Sequence, residues 1–327
     1  MQNELYPLKF YPQYKEKIWG GSKLAELYQK NFFPLTNCGE SWEISGVKDN
    51  ISTATYGSLK NHDLRSLCKT YKGDLMGQAI YSRFREQFPL LIKFIDARGD
   101  LSIQVHPDDK LAGSRHNSPG KTEMWYILHA EQGARLISGF NRQLDRQSYL
   151  DYFNRGRLSD ILNFEKVKAG DVFYIPAGRV HAIGRGIVLA EIQQTSDITY
   201  RIYDWDRRDE HGRSRQLHTD QALAAMDYKH YNSYKTHYKP LTDRNVLLQK
   251  TPYFTTCLTN AVHRVRRDYS QTDSFVILIA VSGKGLLQSD LGSESITAGE
   301  TILLPAAARY MDIIPEPGLK LLETFIV

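Results

Sequence analysis

The sequence predicts a mainly β protein with helical additions, built from two copies of one antiparallel β-barrel. Short apolar, β-branched or aromatic runs bounded by Gly, Asp, Asn or Pro dominate the chain, which is typical of strands. Two segments of the chain also resemble each other, which indicates an internal repeat. AGDVFYIPAGRVHAI (169–183) and AGETILLPAAARYMDI (298–313) share an Ala-Gly-acid turn, an apolar strand and Pro-Ala. The runs at 125–134 and 275–285 also match in apolar pattern. A repeated unit of this kind indicates two related barrels.

The individual elements follow from local patterns. Helical spacing predicts helices over 58–71, with Ser58 as a possible N-cap, and over 217–228. A third helical stretch over 145–163 should split into two short helices at Gly156. The principal predicted strands are 41–45, 90–96, 123–130, 134–140, 171–177, 187–194 and 198–205, with further strands after 247.

The domain organisation follows from where these patterns stop. Residues 229–246 are polar and rich in tyrosine, and they show no period, so they are the predicted linker. We therefore expect an N-terminal domain over 1–228 with helical segments, and a C-terminal barrel over 247–327.

Composition narrows the class of protein. The 327 residues are 41% hydrophobic and 24% charged, and 42 Lys and Arg against 37 Asp and Glu give a net charge of +5 without a long basic block. That balance argues against nucleic-acid binding. Three widely spaced cysteines form no Cys-x-x-Cys pair, and neither a signal-type segment nor an apolar membrane span is evident. We expect a cytoplasmic protein with no membrane partner.

The first repeat contains a candidate metal site. In the stretch LSIQVHPDD (101–109), Gln104 and His106 lie two residues apart, so in a strand they project from the same face. Glu123 and His181 also lie on or at the end of predicted strands. Two imidazoles, a carboxylate and an amide oxygen could bind a divalent ion, with Zn, Fe, Mn, Co or Ni all open. Taken alone, each residue fits a structural or exposed position better than a metal ligand.

The two repeats differ in these polar residues. His181 in the first copy is replaced by Tyr310 in the second, and the nearest counterpart of Glu123 is Asp273. Any chemistry is therefore expected in the first copy, and the second is expected to be a degenerate barrel without metal ligands.

Six motifs, in order along the chain, resemble a known enzyme family. They are KEKIWGG (15–21), GESWEIS (39–45), LLIKFIDARGDLSIQVHPDD (90–109), GKTEMWYIL (120–128), IPAGRVHAIG (175–184) and SDITYRIYDWDR (196–207). Together they resemble the type I mannose-6-phosphate isomerases, and most closely the short bacterial form, a zinc-dependent double-cupin enzyme. The resemblance implies two cupin-like barrels (double-stranded β-helices). It also implies one divalent metal ion, most simply Zn²⁺, held by Gln104, His106, Glu123 and His181.

The same resemblance assigns roles to four further residues, and a fifth, Asp197, is singled out by its position in the sequence. The resemblance implies that Arg201 and Lys121 are catalytic and that Lys93 and Ser102 line the substrate pocket. Arg201 carries a fixed charge, so it suits binding of phosphate or of an oxygen that becomes negative rather than proton transfer. Asp197, four residues before Arg201, could act as a base or orient the arginine.

The expected activity is interconversion of D-mannose 6-phosphate and D-fructose 6-phosphate through an enediolate, with a phosphorylated hexose as the partner. The base stays open between Asp197, Lys121 and a water on the metal. Two alternatives keep the barrel: another cupin enzyme, whose G-x(5)-H-x-H motif is absent, and a non-catalytic metal-binding cupin that senses or binds sugars. The sequence leaves monomer and dimer open.

Overall fold

The computed structural model describes residues 5–209 and 211–327, so residues 1–4 and 210 of the predicted N-terminal domain lie outside it. The described chain is mainly β, with a few helices. Its strands are β1 (Gln13–Lys15), β2 (Glu40–Ile44), β3 (Leu90–Ala97), β4 (Ile103–Val105), β5 (Glu123–Ala130), β6 (Arg135–Phe140), β7 (Leu162–Lys166), β8 (Val172–Ile175), β9 (His181–Ala182), β10 (Ile187–Gln194), β11 (Tyr200–Tyr203), β12 (Lys235–Thr236), β13 (Asn245–Lys250), β14 (Thr255–Ala261), β15 (Val265–Asp268), β16 (Val276–Ser289), β17 (Gly292–Thr297), β18 (Thr301–Leu304) and β19 (Tyr310–Phe325). Its α-helices are α1 (Lys23–Tyr28), α2 (Leu64–Met76), α3 (Gln78–Phe84), α4 (Asp109–His116), α5 (Arg146–Asn154) and α6 (Thr219–Ala225).

Three antiparallel sheets organise these strands. The first has the order β1-β2-β3-β10-β5-β8-β12, and the second has the order β11-β4-β9-β6-β7. The third contains β13-β14-β19-β16-β17, with β15 paired to β19 and β18 paired to β16. Strand pairing among the described residues closes none of these sheets on itself. The predicted mainly β class is therefore confirmed, whereas two closed barrels stay part of the proposal below.

The strand register shows how the two repeats correspond. β5 pairs with β8 so that Glu123 lies opposite Ile175, and β16 pairs with β18 so that Val276 lies opposite Leu304. Ile175 and Leu304 each precede the Pro of their repeat. An apolar residue, Val276, therefore occupies the place of Glu123 in the second copy.

Asp273 has a different role from the one that sequence spacing suggested. Its carboxylate accepts hydrogen bonds from the main-chain N–H groups of Gln78 and Ala79, at 2.6 and 2.9 Å, at the start of α3. Tyr310 begins β19, as His181 begins β9. The second copy thus lacks both the carboxylate and the imidazole of the first.

A shared core connects the two halves of the chain. Leu8 pairs with Leu303 by main-chain hydrogen bonds, and the rings of Phe88 and Phe275 lie 4.6 Å apart between centroids. These residues belong to one apolar cluster that also includes Ile92 of β3. The first and third sheets are therefore held together by continuous apolar packing.

The predicted linker contacts the first half of the chain. Its β12 pairs with β8, and the Tyr234 hydroxyl donates to the Phe140 carbonyl at 2.7 Å. Tyr238 donates to the Gly170 carbonyl at the same distance. The division of the chain at 229–246 stays a prediction.

The predicted helices over 58–71 and 217–228 are present with shifted ends, whereas α1, α3 and α4 were not predicted. The second short helix predicted within 145–163 is only a 3-10 turn, Leu158–Asp160, followed by β7. α2 begins at Leu64 rather than near Ser58, because Asp63 caps it by accepting from Ser66 N at 2.9 Å. Gly57–Leu59 form a separate 3-10 turn before it. α5 ends before Gly156, as expected. Among residues 5–209 and 211–327, every helix falls short of the length and apolar character that a membrane span requires.

Candidate active site

Strands of two sheets, β4 and β9 of the second and β5 of the first, deliver a cluster of polar side chains to one point. Gln104 lies in β4, His106 follows directly after that strand, Glu123 begins β5 and His181 begins β9. Antiparallel register sets Gln104 opposite His181. His106, Glu123 and His181 are each at most 1% exposed. The sequence interval between them is large, but the sheets bring them together.

The donor atoms of this cluster converge. His106 Nε2 lies 3.2 Å from Glu123 Oε1, and His181 Nε2 lies 3.9 Å from Glu123 Oε2. One ligand atom from each of these three residues falls within 4.8 Å of the others. The Gln104 amide lies 3.2 Å from His181 Nε2 through its Nε2 atom. An amide flip, which exchanges two nearly equivalent atoms, would turn its oxygen toward the same point.

Main-chain carbonyls orient both imidazoles. His106 Nδ1 lies 2.9 Å from the Ile198 carbonyl, and His181 Nδ1 lies 2.8 Å from the Arg179 carbonyl. A carbonyl accepts only, so each Nδ1 carries the proton and each Nε2 has a free lone pair. Metal-binding histidines are typically oriented in this way.

The protonation states also suit metal binding. Burial and the nearby Lys121 ammonium lower the pKa of His106 to about 3, and burial lowers the pKa of His181. Burial alone would raise the pKa of Glu123, but the groups around it, the Lys121 ammonium foremost, outweigh burial and hold that pKa well below its usual range. The cluster therefore presents two neutral imidazoles and one carboxylate, the forms in which these groups ligate a cation.

Buried polar atoms without hydrogen-bond partners show whether this cluster suits a metal ion. Among the described residues, His106 Nε2 and both Glu123 carboxylate oxygens are buried and have no hydrogen-bond partner of suitable geometry. Buried polar atoms left in this state are costly unless another group satisfies them. A nitrogen and oxygen donor set of this kind fits a divalent cation. The buried His–Glu–His group could therefore hold a metal ion.

A cavity of about 460 Å³ adjoins the cluster through Gln104 and Lys121. Its lining includes all five other residues singled out from the sequence: Lys93, Ser102, Lys121, Asp197 and Arg201. Lys121 Nζ lies 3.1 Å from Glu123 Oε1, and the Ser102 hydroxyl lies 3.5 Å from Gln104 Oε1. Asp197 is exposed in the loop between β10, which ends at Gln194, and β11.

Arg201 lies beside the cluster. It pairs in register with Gln104 across β11 and β4, and its Nη1 donates to the Gln216 carbonyl at 2.8 Å. Among the described residues, its buried Nε–H has no hydrogen-bond partner. The guanidinium therefore retains donor capacity at the edge of the cavity.

Sequence reasoning missed two acids of the cavity, the partly buried Glu40 and the buried Glu191. Lys93 lies between them, with Nζ 3.7 Å from Glu40 Oε2 and 3.2 Å from Glu191 Oε1. The Trp125 indole donates to Glu191 Oε2 at 2.9 Å. Burial and the Glu123 carboxylate raise the pKa of Glu191. The signal in the sequence was an acid inside the apolar run IVLAEIQQ, which only a buried partner explains.

The fold and the cluster together define a mainly β protein with a buried His–Glu–His group beside a cation-lined cavity. Residues 7–123 match the model of the phosphomannose isomerase type I catalytic domain. The chain is 35% identical over 302 residues to "Mannose-6-phosphate isomerase ManA" of Bacillus subtilis (strain 168), covering 91% of this chain and 93% of that one. It therefore belongs to the type I phosphomannose isomerase family, and it is an enzyme of that family.

Solved structures agree with this assignment. The crystal structure of the mannose 6-phosphate isomerase from Bacillus subtilis superposes with a TM-score of 0.86 at 30% identity, covering 98% of this chain and 99% of that one. A mannose 6-phosphate isomerase whose crystal structure is bound with zinc and yttrium has the same fold, with a TM-score of 0.75 at 16% identity, covering 97% of this chain and 99% of its own.

Proposed function

We propose that this chain interconverts D-mannose 6-phosphate and D-fructose 6-phosphate through an enediolate, using one divalent metal ion, most simply Zn²⁺. The supporting observation is the buried His106–Glu123–His181 cluster, which meets a cation-lined cavity in a chain of this family. Family membership favours the isomerase over a sugar sensor without turnover. The proposal includes two cupin-like barrels, the second without ligands.

In this proposal Gln104, His106, Glu123 and His181 hold the ion. When bound there, a divalent cation would polarise the substrate carbonyl and offset negative charge on its oxygen. The Nδ1 contacts of the two histidines fix their rings before the ion arrives, so little reorganisation accompanies binding.

The protein side chains supply the remaining chemistry. The open-chain sugar loses a proton from C2 and gains one at C1, while a hydroxyl proton moves from O2 to O1. Arg201, with its free Nε–H beside Gln104, is placed to stabilise the oxygen that becomes negative. Lys121 lines the cavity next to Glu123, and it is placed to donate a hydrogen bond to a sugar oxygen.

The cavity adds a third protein candidate for the proton transfer. Glu191 lines the cavity, and its Oε1 is buried without a hydrogen-bond partner of suitable geometry among the described residues. Asp197, by contrast, is exposed at the rim, so its direct role requires the substrate to reach outward. We therefore propose Glu191 beside Asp197 and Lys121 as the candidate acid–base groups.

A coupled assay that follows fructose 6-phosphate from mannose 6-phosphate tests the function. Turnover by the metal-loaded protein supports the isomerase. Tight metal binding with no turnover of this substrate would contradict it and favour the sugar-binding alternative.

A further inference from the structure

The cations of the cavity differ in whether a carboxylate neutralises them. Its basic lining residues are Lys15, Lys17, Lys93, Lys121, Arg201 and Arg215. Four of them lie within 4 Å of a carboxylate oxygen: Lys17 at 3.5 Å from Glu40, Lys93 at 3.2 Å from Glu191, Lys121 at 3.1 Å from Glu123 and Arg215 with Asp204. In the part of the chain that the structure describes, Lys15 and Arg201 have no carboxylate at that distance.

Lys15 is held in place without being neutralised. Its ammonium donates to Asn50 Oδ1, a neutral acceptor, and lies 5.1 Å from the centre of the Trp42 ring. Lys93 Nζ lies 5.0 Å from the same ring. Burial and the nearby Lys17 lower the pKa of Lys15, and an anion bound in the cavity would oppose that shift.

The two unpaired cations lie at different ends of the site. Arg201 lies opposite Gln104, next to the buried His–Glu–His group. Lys15 lies on the edge strand β1, four strands from β5, which carries Glu123. At the usual spacing of adjacent strands, that is roughly 19 Å along the sheet between main chains. Arg201 is therefore at the reacting end, and Lys15 reaches into the cavity from the far side.

The two ends of a hexose 6-phosphate correspond to these two ends of the cavity. Its carbonyl is at C1 or C2, and its dianionic phosphate is at the opposite end of the carbon chain. Resting on the proposed isomerase function, we propose that Lys15, positioned by Asn50, binds the substrate phosphate and sets the preference for phosphorylated over free hexose. Lys17, which is partly neutralised by Glu40, adds positive field at the same end.

The test compares Lys15→Gln with Lys15→Arg and with the control Lys60→Gln, which neutralises an exposed lysine outside the cavity. We expect the KM of Lys15→Gln for mannose 6-phosphate to rise about 10-fold or more, the scale of one hydrogen bond to a charged group. Its kcat should stay within about 2-fold. The competitive inhibition constant of inorganic phosphate should rise with KM, and Lys15→Arg should restore most of both.

A second variant leaves Lys15 in place. Asn50→Asp should pair the ammonium with a carboxylate, so it should also weaken inhibition by inorganic phosphate. If the wild type does not turn over mannose 6-phosphate, the isomerase function itself is wrong. If the wild type is active but KM and phosphate inhibition are unchanged in Lys15→Gln and Asn50→Asp, or only kcat falls, then the isomerase function stands and the proposed role of Lys15 is wrong.

Discussion

Lys121 Nζ lies 3.1 Å from Glu123 Oε1, and both residues are at most 5% exposed. Two residues apart and on the same side of the chain, they connect the buried His–Glu–His group to the cavity. The lysine keeps the pKa of Glu123 low and still borders the space where a substrate would bind. Lys121 thus contacts Glu123 of the His–Glu–His group and also lines the cavity.

Removing that ammonium should impair turnover more than substrate binding. We expect Lys121→Met to lower kcat about 100-fold or more, the usual scale for loss of a positioned acid–base group. Steady-state kinetics checks this, with the metal content of each protein measured in parallel. Lys168→Met, at an exposed lysine, is the control. A variant that keeps its metal and its kcat would show that Lys121 has no catalytic role.

The guanidinium of Arg201 should not be replaceable by an ammonium. The Nη1 of Arg201 donates to the Gln216 carbonyl, while its Nε–H has no partner in the described part of the chain and stays available for a substrate oxygen. A guanidinium can use both of these fixed donors at once, whereas an ammonium cannot reproduce their geometry. We expect both Arg201→Lys and Arg201→Ala to lower kcat/KM about 100-fold. Arg213→Lys, which changes an exposed arginine, should be neutral. Near-normal activity of Arg201→Lys would mean that charge alone suffices.

Glu40 should contribute stability that is lost in acid. Burial alone would raise its pKa, but Lys93, Lys17 and the Trp42 indole lower that pKa from 4.5 to about 2. Because the pKa is depressed in the folded state, this stability is present above the unfolded value and disappears as the pH falls through the folded one.

The difference in free energy of unfolding between wild type and Glu40→Gln should therefore shrink between about pH 4.5 and pH 2. Urea titrations across that range measure it. If the difference in free energy of unfolding between the two proteins does not change with pH, the lowered pKa of Glu40 is wrong.

Glu323 should stabilise the second half of the chain. It is fully buried, and it accepts hydrogen bonds from Asn245 at 2.8 Å, Tyr269 at 2.7 Å, Arg267 at 3.0 Å and the Thr259 hydroxyl. Glu323→Leu would remove the acceptor that these donors share.

We expect Glu323→Leu to cost about 3–5 kcal/mol in free energy of unfolding, as when one partner of a buried ion pair is removed. The control Glu316→Gln breaks an exposed pair with Lys284, and it should cost at most about 1 kcal/mol. Equal costs in urea unfolding would show that the buried network contributes little.

The sequence predicted the strands and the residues of the buried His–Glu–His group because both depend on local patterns. Alternation places Gln104 on one face of its strand, and the repeat pointed to His181 by contrast with Tyr310. The cavity that Glu40, Glu191 and Lys15 share could not be found in this way. Each lies on a different strand, and only the register of β1, β2, β3 and β10 brings them to one cavity. Helix α4 was missed because it presents no apolar stripe to the pattern.

Metal-dependent turnover tests the central claim most directly. The protein is stripped with a chelator, reloaded with Zn²⁺, Mn²⁺, Co²⁺ or Fe²⁺, and assayed with mannose 6-phosphate; His181→Ala and the exposed control His263→Ala are treated alike. We predict activity that is lost on stripping, restored by metal in wild type and His263→Ala, and absent from His181→Ala together with its bound metal. Full activity of the stripped protein, or of His181→Ala without metal, would contradict the account.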